Sequence, residues 1–128
     1  MTTDSASRAL IERYFVAING DDWDAIRQIY TEDGVYQGSG GRPHRGIEEI
    51  VAYYPKLFSG WSIHIDTPVR ITVDGSTARA DVVFTGTTLD GRELSFDAYD
   101  DFVIEGDRLA SVATTYDVEL VRGLLNGG

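Results

Sequence analysis

Apolar and polar residues alternate with a period of two along three long stretches of the second half of the chain, residues 78–88, 94–104 and 109–117. Turn signals separate them at Asp74-Gly75, Asp90-Gly91 and Glu105-Gly106-Asp107. Asp-Gly between alternating runs is a strong hairpin signal, because such turns need residues that accept positive φ. The pattern predicts an antiparallel meander whose strands exceed the usual five or six residues, hence a strongly twisted and bent sheet. From Trp61 to Val73 a further strand alternates Trp61, Ile63 and Ile65 against Ser62, His64 and Asp66, which puts His64 on the polar side. Pro68 interrupts this strand and predicts a bulge or an edge position.

The first half carries helical periodicity. Leu10, Tyr14, Ala17 and Ile18 form one stripe of a helix capped by Asp4 or Ser5 and running to Asn19, with Gly20 as its left-handed stop. Asp21 or Asp22 caps a second, short helix with Trp23, Ile26 and Tyr30 inward, and Val35-Tyr36 follows as a short strand. Residues 37–45 hold Gly38, Gly40, Gly41 and Pro43 and read as a loop. A third helix spans residues 47–58 with Ile47, Ile50, Val51 and Tyr54 on one face, and Pro55 should kink it or end it at Tyr54. Residues 118–128 read as a frayed tail. The order predicts a single α+β domain over residues 1–128, with three N-terminal helices packed on a strongly curved antiparallel sheet.

Composition narrows the function classes. The 128 residues contain no cysteine, which excludes disulfides and thiol chemistry. Neither His44 nor His64 sits in a zinc-binding spacing, so no metal and no other cofactor is expected. The net charge of −10 repels phosphate backbones, so neither nucleic acid nor an anionic membrane is an expected partner. No apolar run approaches a membrane span and the first residues have no signal-like core, so a cytoplasmic location is expected.

Several segments carry a family resemblance. Ile11-Glu-Arg-Tyr14, Ile18-Asn-Gly-Asp-Asp-Trp-Asp, Ile29-Tyr-Thr-Glu-Asp-Gly-Val-Tyr and Arg45-Gly-Ile-Glu-Glu-Ile-Val-Ala-Tyr-Tyr54 are similar to the helical half of the NTF2-like, or SnoaL-like, cone. Tyr99-Asp-Asp-Phe102 and Gly106-Asp-Arg-Leu109 are similar to its later strands, and the ketosteroid isomerase branch matches best. The resemblance implies an oxyanion hole of Tyr14 and a protonated Asp100, with Tyr54 orienting Tyr14; ketosteroid isomerase is itself the standard example of a carboxylic acid kept neutral by an apolar site. The general-base aspartate of that branch falls at Gly38, which cannot take a proton.

Strand parity agrees on Asp100, which shares a face with Phe96, Ala98 and Phe102, while Asp101 groups with Asp97, Tyr99 and Val103. Parity also groups Asp81 with Val83, Thr85 and Thr87, and Thr114 with Val112 and Tyr116. With those faces inward, the expected catalytic set is Tyr14, Tyr54, Asp100 and, as a relocated base, Asp81. Tyr30, Tyr36, Gly38, Phe58, Val83, Phe96, Phe102, Val112, Thr114 and Tyr116 complete the expected substrate contacts. The plain alternative makes Tyr14 and Tyr54 core tyrosines that satisfy each other.

The expected ligand is a small hydrophobic, oxygen-bearing molecule. The expected function is an isomerase or cyclase acting on a polyketide, terpenoid or steroid-like carbonyl compound. Two other readings stay open. Arg79-Ala80-Asp81 is similar to the Arg-x-Asp of the limonene epoxide hydrolase branch, which implies an epoxide hydrolase or epoxide-opening cyclase using Asp100 as well. The other is a non-catalytic binding module. The family's habit of pairing through the outer sheet face implies a homodimer, with Val82, Phe84, Tyr99, Val103, Leu109 and Ala113 on that face.

Overall fold

The computed structural model describes residues 4–127. Helix α1 (Asp4–Asn19) turns Leu10, Ile11, Tyr14, Phe15 and Ile18 into the core. Its end differs from the expectation. Asp21, not Gly20, takes the left-handed position, with φ 52°. The N–H of Asp22 donates to the Ala17 carbonyl and that of Asp21 to the Ile18 carbonyl, as in a Schellman cap. Asp22 then caps α2 (Trp23–Ile29), its side chain accepting from the Ala25 N–H.

Strand β1 (Tyr30–Gly38) is longer than the expected two residues and pairs with the two-residue β2 (His44–Arg45). Helix α3 (Ile47–Leu57) passes through Pro55 instead of ending at Tyr54. Proline removes the donor that would have bonded Val51, close enough to the helix end that one further turn persists. The meander is as expected: β3 (Trp61–Asp74), β4 (Thr77–Thr88), β5 (Glu93–Glu105) and β6 (Arg108–Tyr116) pair antiparallel in sequence order. Gly75, Gly91 and Gly106 take positive φ at its turns. Residues 118–125 are no frayed tail but helix α4 (Val118–Leu125), capped by the Asp117 side chain on the Leu120 N–H.

The strand order is β2-β1-β6-β5-β4-β3, and β1 runs parallel to β6. Among the described residues the architecture is therefore α+β with four helices and one open, curved, mixed sheet of six strands, rather than a purely antiparallel one. The helices cover the inner face. Strand β3 lies at the sheet edge with a bulge between Pro68 and Arg70, as the proline implied. Among the described residues, no helix is long and apolar enough to cross a membrane.

Candidate functional site

The inner face of the sheet, α1, α3 and α4 enclose a cavity of about 230 Å³. Most of its wall is apolar or aromatic, and two carboxyls face it, those of Asp100 and Asp66.

Asp100 is placed by register. On β5 it lies opposite Ala80 of β4 and Thr114 of β6, so its side chain shares the inner face with Ala98 and Phe102. It is 6% exposed. Tyr36 donates to Thr114 Oγ1 at 2.9 Å, and Thr114 donates to Asp100 Oδ1 at 2.5 Å. That relay occupies Oδ1 and is the one side-chain hydrogen bond of Asp100 among the described residues, which leaves Oδ2 open to the cavity. Burial pushes the carboxyl up to about 7, and the charges of Asp66 and Asp101 add to the rise against the pull of Thr114. Near neutral pH Asp100 thus exists in both forms, and its protonated form can donate from Oδ2.

A second relay consists of phenols. Tyr14 and Tyr54 hydroxyls lie 2.7 Å apart, and Tyr54 and Tyr30 hydroxyls 2.9 Å apart. Burial raises all three well above the ordinary tyrosine value, so they stay protonated. The direction of the relay follows from cost. Tyr30 is wholly buried and away from the cavity, so a chain running toward it would strand its proton in the core, at about 1–3 kcal/mol. Run from Tyr30 through Tyr54 to Tyr14, the spare O–H is that of Tyr14, which does line the cavity. The Tyr54 ring is held in a cluster of near-parallel rings, with Trp23 at 5.7 Å and Phe58 at 6.4 Å, themselves 6.3 Å apart.

Asp66 is the carboxyl that sequence reasoning did not select. On the edge strand β3 its backbone N–H donates to Asn19 Oδ1 at 2.8 Å, and its carbonyl accepts from Asn19 Nδ2 at 2.9 Å. The asparagine at the end of α1 thus does the work of a missing neighbouring strand and holds Asp66 at the cavity wall. The Asp66 carboxyl accepts no hydrogen bond among the described residues; burial raises it to about 6, against the pull of His64. His64 is buried, contrary to expectation, stacked on Phe58 at 3.9 Å, and its Nε2 lies 2.6 Å from Asp21 Oδ1. Both ties to β3 come from the turn that the left-handed Asp21 creates.

Asp81 is displaced from its expected role. Ala78, Ala80, Val82 and Phe84 are the inward residues of β4, so Asp81 and Val83 lie on the outer face. Arg79 is there too, pairing with Asp101 at 2.8 and 3.2 Å and lying over the Tyr99 ring at 4.2 Å. The Arg79, Asp81 and Asp100 set required for epoxide opening is therefore split across the sheet. Val82, Phe84 and Leu109, expected on the outer face, are buried inside.

Tyr36, Phe58, Phe96, Thr114 and Tyr116 line the cavity as expected. Phe102 and Val112 lie behind it in the core, Phe102 packing against the Tyr14 ring at 5.5 Å. Gly38 pairs with Thr114 beside the site but adds nothing to its wall. The cavity also takes in residues that were not expected in its wall, including Trp61, Val82, Phe84, Val121 and Leu125. The last two belong to α4, whose apolar positions 118, 121, 124 and 125 carry the helical spacing that marks it in the sequence. Among the described residues no cluster of ligands suits a metal ion.

Comparison with known proteins places this geometry. The model of the SnoaL-like domain family matches residues 11–112. Among solved structures, a protein assigned as a SnoaL-like polyketide cyclase from Jannaschia sp. CCS1 superposes with a TM-score of 0.84 at 17% identity, over 92% of this chain and 90% of the other. An epoxide hydrolase of the LEH-like type from M. tuberculosis gives 0.81 at 19% identity, over 96% and 92%. TerC, co-crystallised with polyporic acid, gives 0.86 at 12% identity, over 94% and 98%. A search of curated proteins finds no match.

Proposed function

The chain belongs to the SnoaL-like domain family, and on that footing we propose that it is a cofactor-independent isomerase or cyclase for a small hydrophobic carbonyl compound. The observation that carries this reading is the pairing of an apolar cavity with two differently placed carboxyls and the spare phenolic O–H of Tyr14. Such pairs divide into acid and base when their environments push their pKa values apart. Asp66, free of hydrogen bonds and ionised at neutral pH, is the base in place of Asp81. It takes a proton from the carbon next to the carbonyl. The oxygen then carries the charge, and the O–H groups of Tyr14 and protonated Asp100 stabilise it. Returning the proton to another carbon completes an isomerisation, whereas attack by the enolate carbon closes a ring.

Size narrows the substrate. An apolar cavity of about 150 Å³ takes benzene, so one of about 230 Å³ suits one or two rings and not a whole steroid. TerC with its polyporic acid supports an aromatic, oxygen-bearing ligand for this fold.

The test is binding and turnover. 2-Naphthol should bind the native protein and lose about tenfold or more on Tyr14→Phe, which removes the spare donor. Turnover of a small β,γ-unsaturated ketone should fall at least a hundredfold in Asp66→Asn and stay within about twofold in Asp81→Asn. Equal loss in both variants, or none in Asp66→Asn, overturns this assignment. A second reading, a binding module without turnover, is favoured by Gly38 alone and predicts naphthol binding with no conversion of any ketone.

A further inference from the structure

The cavity wall holds two carboxyls and no Lys, Arg or His among the described residues. Charges removed from water normally have a partner, because an unpaired one costs several kcal/mol. By contrast, Asp101, Glu49, Asp90 and Glu48, which lie at the surface, each meet an arginine: Arg79, Arg42, Arg92 and Arg27. Among the described residues the half-buried Asp66 carboxyl accepts no hydrogen bond and has only His64 as a neighbouring counter-charge, and Asp100, 6% exposed, makes its one side-chain hydrogen bond through Oδ1 and leaves Oδ2 unpaired at the cavity. Tyr36, Trp61, Phe84, Phe96 and Tyr116 form the aromatic wall around them. Aromatic faces carry negative charge density and attract cations, the more so once the cation is desolvated. The overall charge of −10 adds a long-range field of the same sign.

We propose that this cavity selects ligands carrying a positively charged nitrogen, an alkylammonium or aryl-ammonium group of one-ring size, over neutral molecules of the same shape. The proposal rests on the reading that the cavity is the ligand site, and it narrows the substrate class to amine-bearing carbonyl compounds. Aromatic walls hold the apolar shell of the cation, and the ligand brings the positive charge that the cavity wall does not offer to its carboxylates.

Phenyltrimethylammonium and tert-butylbenzene share a shape and differ only in charge, and neither donates a conventional hydrogen bond. Displacement of bound 2-naphthol from the full chain measures both. At pH 8 the cation should bind about tenfold or more tighter. The preference should shrink toward unity by pH 5, as the carboxyls protonate. The other titratable groups that face them are Tyr14 of α1, Tyr36 of β1, Tyr54 of α3, His64 of β3 and Tyr116 of β6, with Asp101 on the far side of β5. Asp66→Asn should remove most of the preference at pH 8. If that variant does not fold, the pH series of the native protein decides alone. Equal binding of cation and isostere at pH 8, or a preference unchanged at pH 5, overturns the proposal while leaving the cavity assignment intact. If 2-naphthol itself does not bind, the cavity assignment and this inference fall together.

Discussion

Replacing Asp100 by asparagine isolates the energetic consequence of a buried carboxyl. Its folded value of about 7 lies above the ordinary 3.8, so the unfolded chain ionises first as pH rises. Between those values the folded state binds more protons, and stability falls with rising pH. Working the two titrations through at 1.36 kcal/mol per unit gives a loss of about 3 kcal/mol between pH 5 and pH 8. Asparagine keeps an Oδ1 that can accept from Thr114 and cannot ionise, so Asp100→Asn escapes that loss. Urea unfolding of both proteins at pH 5, 6, 7 and 8 should show the variant gaining on the native protein by about 2–3 kcal/mol across the series. Asp66 titrates in both proteins and largely cancels in the difference. A gain independent of pH would refute the reasoning, as would an NMR titration in which Asp100 ionises near pH 4.

Three further outcomes are expected. Gly38→Asp should be tolerated and should raise turnover of β,γ-unsaturated ketones several-fold, because its φ lies outside the left-handed region and a Cβ there meets Tyr36 Oη at an ordinary 3.6 Å; stopped or unchanged turnover in a folded variant counts against the site. Asn19→Ala removes both hydrogen bonds to the Asp66 backbone and should cost about 1–2 kcal/mol in urea unfolding, with a loss below about 0.3 kcal/mol showing that the clamp is idle. The outer sheet face exposes Ile63, Val69 and Val103 at 54%, 63% and 42%, so light scattering at micromolar concentration should give a homodimer mass, and a monomer mass would remove that expectation.

Much of the scaffold was legible because its signals are local. The three Asp-Gly and Gly-Asp turns fix the meander, since each needs a residue at positive φ and glycine supplies it. Tyr14 falls on the α1 stripe and Tyr54 on that of α3, so helical period alone brings them to the interior where their hydroxyls meet. Asp100 was recoverable from β5 parity, which runs unbroken from Glu93 to Val103. The parallel pairing of β1 with β6 joins segments far apart in the chain, and no local pattern announces it. Asp81 failed differently. Its parity was assigned to the wrong face because Arg79 and Asp81 alternate with two alanines, and small residues under a helix layer read as weakly apolar although Ala80 is fully buried.

The inward turn of Asp66 has its cause in β3. A bulge between Trp61 and Ile63 and another between Pro68 and Arg70 each insert a residue into the pleat. Every bulge exchanges the two faces of the strand beyond it. Trp61 therefore faces the cavity, Ile63 and Ile65 turn outward, and His64 and Asp66 turn in; after the second bulge Ile71 and Val73 return to the core. Read as one uninterrupted alternation, the strand places its isoleucines inside and its carboxylate in water, the reverse of what is found. The fold tolerates two exposed isoleucines on an edge strand in exchange for one carboxylate in the cavity. That is a local conflict with the hydrophobic pattern, and such conflicts gather where chemistry rather than stability sets the residue. The two bonds from Asn19 and the one between Asp21 and His64 hold the reversed segment in place, and both residues that make them come from the same tight turn. A turn that forces a non-glycine residue to φ 52° is thereby tied, through β3, to the position of the proposed base.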